Sequence, residues 1–152
     1  MKKTSKTKRI RAAFQGERGA FSEEAARRFL GARLRPLPLR EFDDMFEAVV
    51  RGEADCAVVP IENTLAGSVI KNYDLLANTD LTIIGEVVLR IAHNLIVPRG
   101  VKLTDIRRVF SHPVALAQCE DFLRELRAQV PSLEVLPAYD TSGSVKMVIN
   151  NG

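Results

Sequence analysis

"AVVPIENTLAGSV", residues 57–69, is the stretch on which the reading of this chain turns. Together with the Asp55-Cys56 pair before it, its front is a short continuous apolar run, which marks a strand covered on both faces in a parallel sheet. Pro60 and Ile61 close the run, and Glu62, Asn63, Gly67 and Ser68 follow within a few residues. Two readings of that polar group stand. It is a surface Asx-type turn, or it sets a carboxylate and an amide at the end of the most buried strand, facing a cleft between two lobes, where open α/β sheets bind ligands.

Strand and helix alternate on either side. "IRAAFQ" (10–15) reads as a strand, and Ser22 is expected to cap "EEAARRFL", with Ala25, Ala26, Phe29 and Leu30 on one face and Gly31 as its stop. Pro36 and Pro38 make "ARLRPLPL" (32–39) an edge strand or a loop. Asp43 opens a helix whose Met45, Phe46, Val49 and Val50 face inward and which Gly52 ends. A helix over about residues 68–76 is expected next, then the extended run "LTIIGEVVLRIAHNLIVP" (81–98), broken by Arg90 and His93 and assigned to the passage between lobes. Beyond it come a strand "RRVF", a helix from Pro113 to about Ala128 with Ala115, Cys119, Phe122 and Leu126 on one face, a strand "LEVLPAY", and a helix opening near Ser142. This order predicts an α/β fold of two lobes with parallel sheets flanked by helices. A tail over residues 1–9, a first lobe over 10–90, and a hinge with a partial second lobe over 91–152 are expected. The last helix stops where an α/β unit would return to its sheet, so the second lobe is expected to be incomplete.

The 152 residues carry 22 Lys and Arg against 19 Asp and Glu. Six of the basic residues lie in the first eleven positions; without them the body holds 16 against 19, a net of −3. A basic tail on a mildly acidic body argues against a nucleic-acid groove, which needs its positive charge on the folded surface. The tail is expected to be disordered. The segment after it turns polar at "QGER", so no secretion signal is read there. No run reaches the roughly 18 apolar residues of a membrane span. Cys56 and Cys119 stand apart among apolar neighbours and read as reduced core thiols of a cytoplasmic protein. With only His93 and His112 available, no metal cluster can be spelled.

Four strand-to-helix turns are built from small and hydroxyl residues: "QGERGAFS" (15–22), "IENTLAGS" (61–68), "SHP" (111–113) and "DTSGS" (140–144). Helix starts at such turns offer N–H groups and a positive dipole end to carboxylates or phosphates. Each Ser or Thr has a plain helix cap as its alternative, and His112 is either the neighbour of a Pro-started helix or a contact in the cleft. None of the turns is a P-loop or a G-x-G-x-x-G, which points away from nucleotides and toward a compact carboxylated ligand.

The motifs "FQGERGAFSEEAA", "VPIENTLAGSV", "YDLL", "IIGE", "IAHNLIV", "SHPVALAQC" and "DTSGSVKMV" occur in the order found in the prephenate dehydratase family, which this chain resembles from Phe14 to Val148. The resemblance implies a two-lobed fold like type II periplasmic binding proteins and a cytoplasmic homodimer of phenylalanine biosynthesis. The reaction it implies converts prephenate to phenylpyruvate, water and carbon dioxide with no cofactor and no metal, arogenate being the alternative substrate. It assigns Glu62, Asn63, Ser111 and Gln118 to catalysis and Gly67, Ser68, His112, Thr141 and Ser144 to substrate binding. Two departures stand out. Val114 replaces a glutamine common after Ser-His-Pro, and the family's Thr-Arg-Phe motif, whose threonine is the proposed acid, is not among these residues, nor is a phenylalanine-sensing ACT domain. The chain therefore reads as the front portion of a dehydratase, inactive by itself, with a carboxylate-binding module of the same fold as the competing reading.

Overall fold

A computed structural model describes residues 8–151, so the expected disorder of the tail lies almost wholly outside the described residues. Two compact units divide at Arg90 and Ile91.

The first unit is built on β1 (Ile10–Gln15), flanked by β2 (Leu34–Leu39) and β3 (Cys56–Val58) in the order β2-β1-β3, both pairings parallel. Side chains alternate across a strand. Ala12 accordingly packs with Ala26 and Leu30 of α1 (Phe21–Leu30), while Ala13 packs with Met45 and Ala48 of α2 (Phe42–Val50). Ala12, Ala13 and Phe14 are fully buried, so β1 is the most buried strand. β3 is covered on both faces as expected, Cys56 and Val58 on the α1 side and Ala57 and Val59 on the α2 side, but it pairs on one side only and is half-buried, so the expectation that it is the most buried strand is corrected. The prolines of β2 sit on an edge, as their missing N–H groups require.

Several boundaries and faces differ from expectation. Ala20, not Ser22, precedes α1, and no side chain caps it there. Three positions on, buried Glu23 reaches back instead: its carboxylate accepts from the Gly19 N–H at 2.8 Å and pairs with Arg27 at 2.6 Å and Arg18 at 3.2 Å. The bond to Gly19 reaches one residue beyond the N-cap, whose own N–H donates to the Glu17 carbonyl at 3.0 Å, so Glu23 fastens the turn ahead of the helix. Gly31 ends the helix at φ +56°, a conformation that suits glycine. Phe29 is partly exposed but lies against Gly85, where a Cβ would come within 2.5 Å of its ring. In α2 the inward face is Met45, Phe46 and Ala48, and Val50 is exposed. Residues 81–98 form no helix or ladder, and Ile83, Ile84, Val88 and Ile96 are exposed, so the expected strand pairing of this run is not found.

After β3 the chain makes a two-stranded antiparallel hairpin, β4 (Glu62–Asn63) and β5 (Gly67–Ser68), before α3 (Ile70–Ala77). Ser68 is thus in a ladder opposite Glu62, and not in the helix expected from it. Asn72 of α3 is fully buried, and its side-chain nitrogen donates to the Pro60 carbonyl at 2.7 Å. Val69 N–H donates to the Ile61 carbonyl at 2.9 Å, so the two ends of the hairpin are tied at its base. The Asn72 Oδ1 is buried and has no hydrogen-bond partner among the described residues.

The second unit pairs β6 (Arg108–Ser111) with β7 (Glu134–Pro137) in parallel. Between them lie α4 (Pro113–Gln118) and α5 (Glu120–Gln129), where one helix was expected; the chain breaks at Cys119, φ −105° and ψ 14°. The break turns the buried face to Leu123 and Leu126 and leaves Phe122 exposed. Leu126 packs with Ile106, Val130 and Leu133, and Leu95, Val109 and Val135 border that core. α6 (Thr141–Asn151) follows β7 and exposes Met147 and Ile149. Both cysteines are free and half-buried, and burial pushes their thiols above the ordinary 9.0. No helix among the described residues is long and apolar enough to cross a membrane.

Two substitutions test these buried polar anchors. Burial alone would raise the Glu23 carboxyl, but the Gly19 N–H and the Arg27 and Arg18 guanidinium groups outweigh it and hold it below 4.5. A depressed carboxyl adds stability above its unfolded value and loses it as pH falls through the folded one. Glu23→Gln should cost about 1–2 kcal/mol at neutral pH, and urea titrations should show the gap closing below about pH 4. Asn72→Asp should cost about 2–4 kcal/mol at neutral pH, since a buried carboxylate would face the Pro60 carbonyl. That deficit should shrink on acidification, because burial raises such a carboxyl and its protonated form regains a donor. The absence of a deficit at neutral pH would show that Asn72 is replaceable at the hairpin base.

Candidate active site

Parallel strands bring their carboxyl ends to one edge, and the turns leaving β1 and β3 share that edge in the first unit. The Glu62–Ser68 hairpin carries four of the candidate residues. Glu62 and Ser68 face one another across its ladder and both are exposed, as is Gly67, which follows the turn at 64–66 with φ +81° and pairs with Asn63. Asn63 is half-buried, and its Oδ1 accepts from the Leu65 and Ala66 N–H groups at 2.9 and 3.1 Å. That is an Asx turn, so this oxygen shapes the hairpin. The nitrogen end of the amide lies opposite those bonds.

In the second unit the turns after β6 and β7 also meet at one edge. Ser111 ends β6 and its hydroxyl donates to that of Thr141, at the start of α6, at 3.4 Å. His112 caps α4, its Nδ1 accepting from Val114 N–H at 3.3 Å, with Pro113 at the first helical position. Gln118 is the last residue of α4, and its Oε1 lies 2.7 Å from the Nε2 of His93. Ser144 is 4% exposed and its hydroxyl donates to the Asp140 carbonyl at 2.8 Å, an internal bond of the α6 start. Asp140 completes that cap by accepting from Gly143 N–H at 2.7 Å. Each of the four turns therefore holds at least one N–H with a side chain of the protein itself, at Glu23, Asn63, His112 and Asp140.

Four residues at these turns were not among the sequence candidates. Glu23 and Asn72 anchor the two turns of the first unit. His93 meets Gln118, and the Tyr139 hydroxyl lies where a Cβ on Gly143 would come within 2.5 Å, which explains a glycine in the "DTSGS" turn. A glutamate three places after a helix start was a readable signal for Glu23. The motif "IAHNLIV" held His93 in plain view, but nothing in its spacing pointed to Gln118. Among the described residues no group of three or more His, Cys, Asp or Glu side chains could hold a metal ion.

The comparisons with known proteins bear on this arrangement as a whole. A family model for prephenate dehydratase matches residues 12–152, which includes every candidate named above. The Arabidopsis thaliana arogenate dehydratase/prephenate dehydratase 2 is 46% identical over 140 residues, covering 92% of this chain and 35% of that protein. Among solved structures, one described as GqqA, a novel type of quorum quenching acylase, superposes with a TM-score of 0.79 at 37% identity, covering 93% of this chain and 50% of that one. The prephenate dehydratase of Staphylococcus aureus superposes with a TM-score of 0.74 at 23% identity, over 91% of this chain and 51% of its own, and shares the α/β fold. The chain thus spans about a third of the length of the curated relatives it matches and half of the solved ones. The expected cytoplasmic location is corrected by these relatives: the Arabidopsis protein is chloroplastic, as are three further Arabidopsis arogenate dehydratases at 40%, 41% and 42% identity. With the family model covering all but the first eleven residues and a near relative covering nine-tenths of the chain, this protein belongs to the prephenate dehydratase family.

Proposed function

We propose that this chain is part of a prephenate dehydratase, a lyase of aromatic amino acid biosynthesis that acts on a small dicarboxylate. The observation that carries the reading is the family match over residues 12–152, within which all the candidate side chains fall. In the reaction the bond to the ring carboxylate breaks and its electron pair enters the ring. The ring hydroxyl takes a proton and leaves as water, and carbon dioxide and phenylpyruvate remain. Aromatisation drives the step, so a protein gains most by donating hydrogen bonds to the departing hydroxyl and fixing the carboxylates. Asn63, Ser111 and Gln118 take these roles beside Glu62, whose carboxylate accepts and does not donate, with Gly67, Ser68, His112, Thr141 and Ser144 contributing to substrate binding. Amides and hydroxyls serve such a site without titrating.

The finer features belong to the same proposal. The two units are the first lobe and part of the second lobe of a fold like type II periplasmic binding proteins, and the complete protein is a homodimer. Arogenate is the second substrate reading, favoured by the relatives that carry that name. A carboxylate-binding module of the same fold is the other.

Incubation with prephenate and with arogenate separates the readings. The 152-residue chain alone should give no phenylpyruvate or phenylalanine above background, since loss of a general acid costs about 10²–10⁴ in rate. Supplying the C-terminal part of a family catalytic domain, in cis or as a second fragment, should restore turnover. Asn63→Ala in that restored protein should lower kcat about 10²–10³-fold. A folded, extended protein that binds phenylpyruvate and turns over neither substrate would establish the binding module instead.

A further inference from the structure

The second unit holds one side-chain pair that the proposed reaction leaves unassigned. His93 Nε2 lies 2.7 Å from Gln118 Oε1, with both residues half-buried. We propose that His93 is a positioning residue that fixes Gln118 as a hydrogen-bond donor toward an oxygen of the ligand; this rests on the assignment of Gln118 to the substrate site.

An amide oxygen only accepts, so the hydrogen of this bond is on His93 Nε2. In the neutral ring that selects the Nε2–H tautomer and leaves Nδ1 as the acceptor. The consequence falls on Gln118. Its oxygen is held by the imidazole, and the planar amide then turns its NH₂ group to the opposite side. A carboxylate or hydroxyl oxygen is the partner for such a group, and an N–H donor on the ligand is not.

One feature makes the imidazole a firm anchor. Leu95, two residues on, packs against the core formed by Ile106, Leu126, Val130 and Leu133, which ties this stretch of chain to the unit. Gln118 needs such an anchor, because it ends a six-residue helix just before the break at Cys119. A glutamine side chain is rich in rotamers, and holding it before the ligand arrives removes an entropic cost from binding and from the chemical step.

The test begins with the 152-residue chain itself. Long-range proton–nitrogen correlation of the neutral imidazole should show His93 with its proton on Nε2. His93→Gln, which keeps an N–H donor near the same place, should preserve the chemical shifts of the Gln118 side-chain amide. His93→Leu should move and broaden them while the Leu95 and Val109 methyl signals stay in place, showing that the unit remains folded. A proton on Nδ1 would overturn the proposal, since Gln118 would then offer its oxygen to the ligand. Unchanged Gln118 amide signals in a folded His93→Leu protein would overturn it too. In an extended protein that turns over prephenate, His93→Leu should lower kcat/KM about tenfold with rescue by His93→Gln. Loss in both variants would reduce His93 to a role in packing. The spectroscopic outcomes need no turnover, so a failed dehydratase reading would not be mistaken for a failed His93–Gln118 contact.

Discussion

Two alanines side by side on β1 set the constraint on which the first unit depends. Ala12 and Ala13 point to opposite faces of the sheet, and neither is exposed. Small side chains there let α1 and α2 approach the backbone closely, and a strand buried on both faces must be covered by helices on both. That requirement makes the connections crossovers and the pairings parallel, as found for β1 with β2 and with β3. Parallel pairing in turn delivers the turns after β1 and β3 to one edge. The second unit repeats the logic with β6 and β7, and the hydrogen bond from Ser111 to Thr141 is its direct trace.

Much of this architecture was legible because strong signals act locally. Residues 10–15 form β1 as their pattern required, and the prolines at 36 and 38 sent β2 to an edge. The failures share a cause: each depended on what lies across from a residue, not beside it. β3 has the composition of a covered strand, but its exposure is fixed by how many partners pair with it. Phe29, Val50 and Phe122 are apolar and helical, yet one step of about 100° around a helix decides between core and solvent. The two-residue ladder from Glu62 to Ser68 has no period at all, so the helix was started too early.

The candidate site was legible by residue type and only partly by role. Glu62 and Asn63 stood out because a carboxylate and an amide follow an apolar strand. The residues that hold the turns did not stand out, because polarity suggests exposure and says nothing of burial. Glu23 and Asn72 are 3% and 0% exposed. Glu23 is tolerated inside because two guanidinium groups and an N–H meet it, while Asn72 gives its nitrogen to the Pro60 carbonyl and leaves its oxygen without a partner among the described residues. A buried charge without such partners would cost several kcal/mol, so the Arg18 and Arg27 side chains are as much a part of the β1–α1 turn as its glycines.

A common polarity emerges from the hydrogen bonds at the turns. Asn63 gives its oxygen to the Leu65 and Ala66 amides, His112 gives Nδ1 to Val114, and Gln118 sets its oxygen against His93. In all three the acceptor atom faces the protein. For the two amides this turns the nitrogen end, which can only donate, to the other side. Donors aimed by fixed acceptors are what a carboxylated ligand requires, and they need no reorientation when negative charge shifts during a reaction. A site made this way tolerates a shortage of titratable groups, because its electrostatic work is done by the orientation of neutral dipoles. The anchors are buried or half-buried, where orienting bonds gain strength away from water, while Glu62 and Ser68 are exposed.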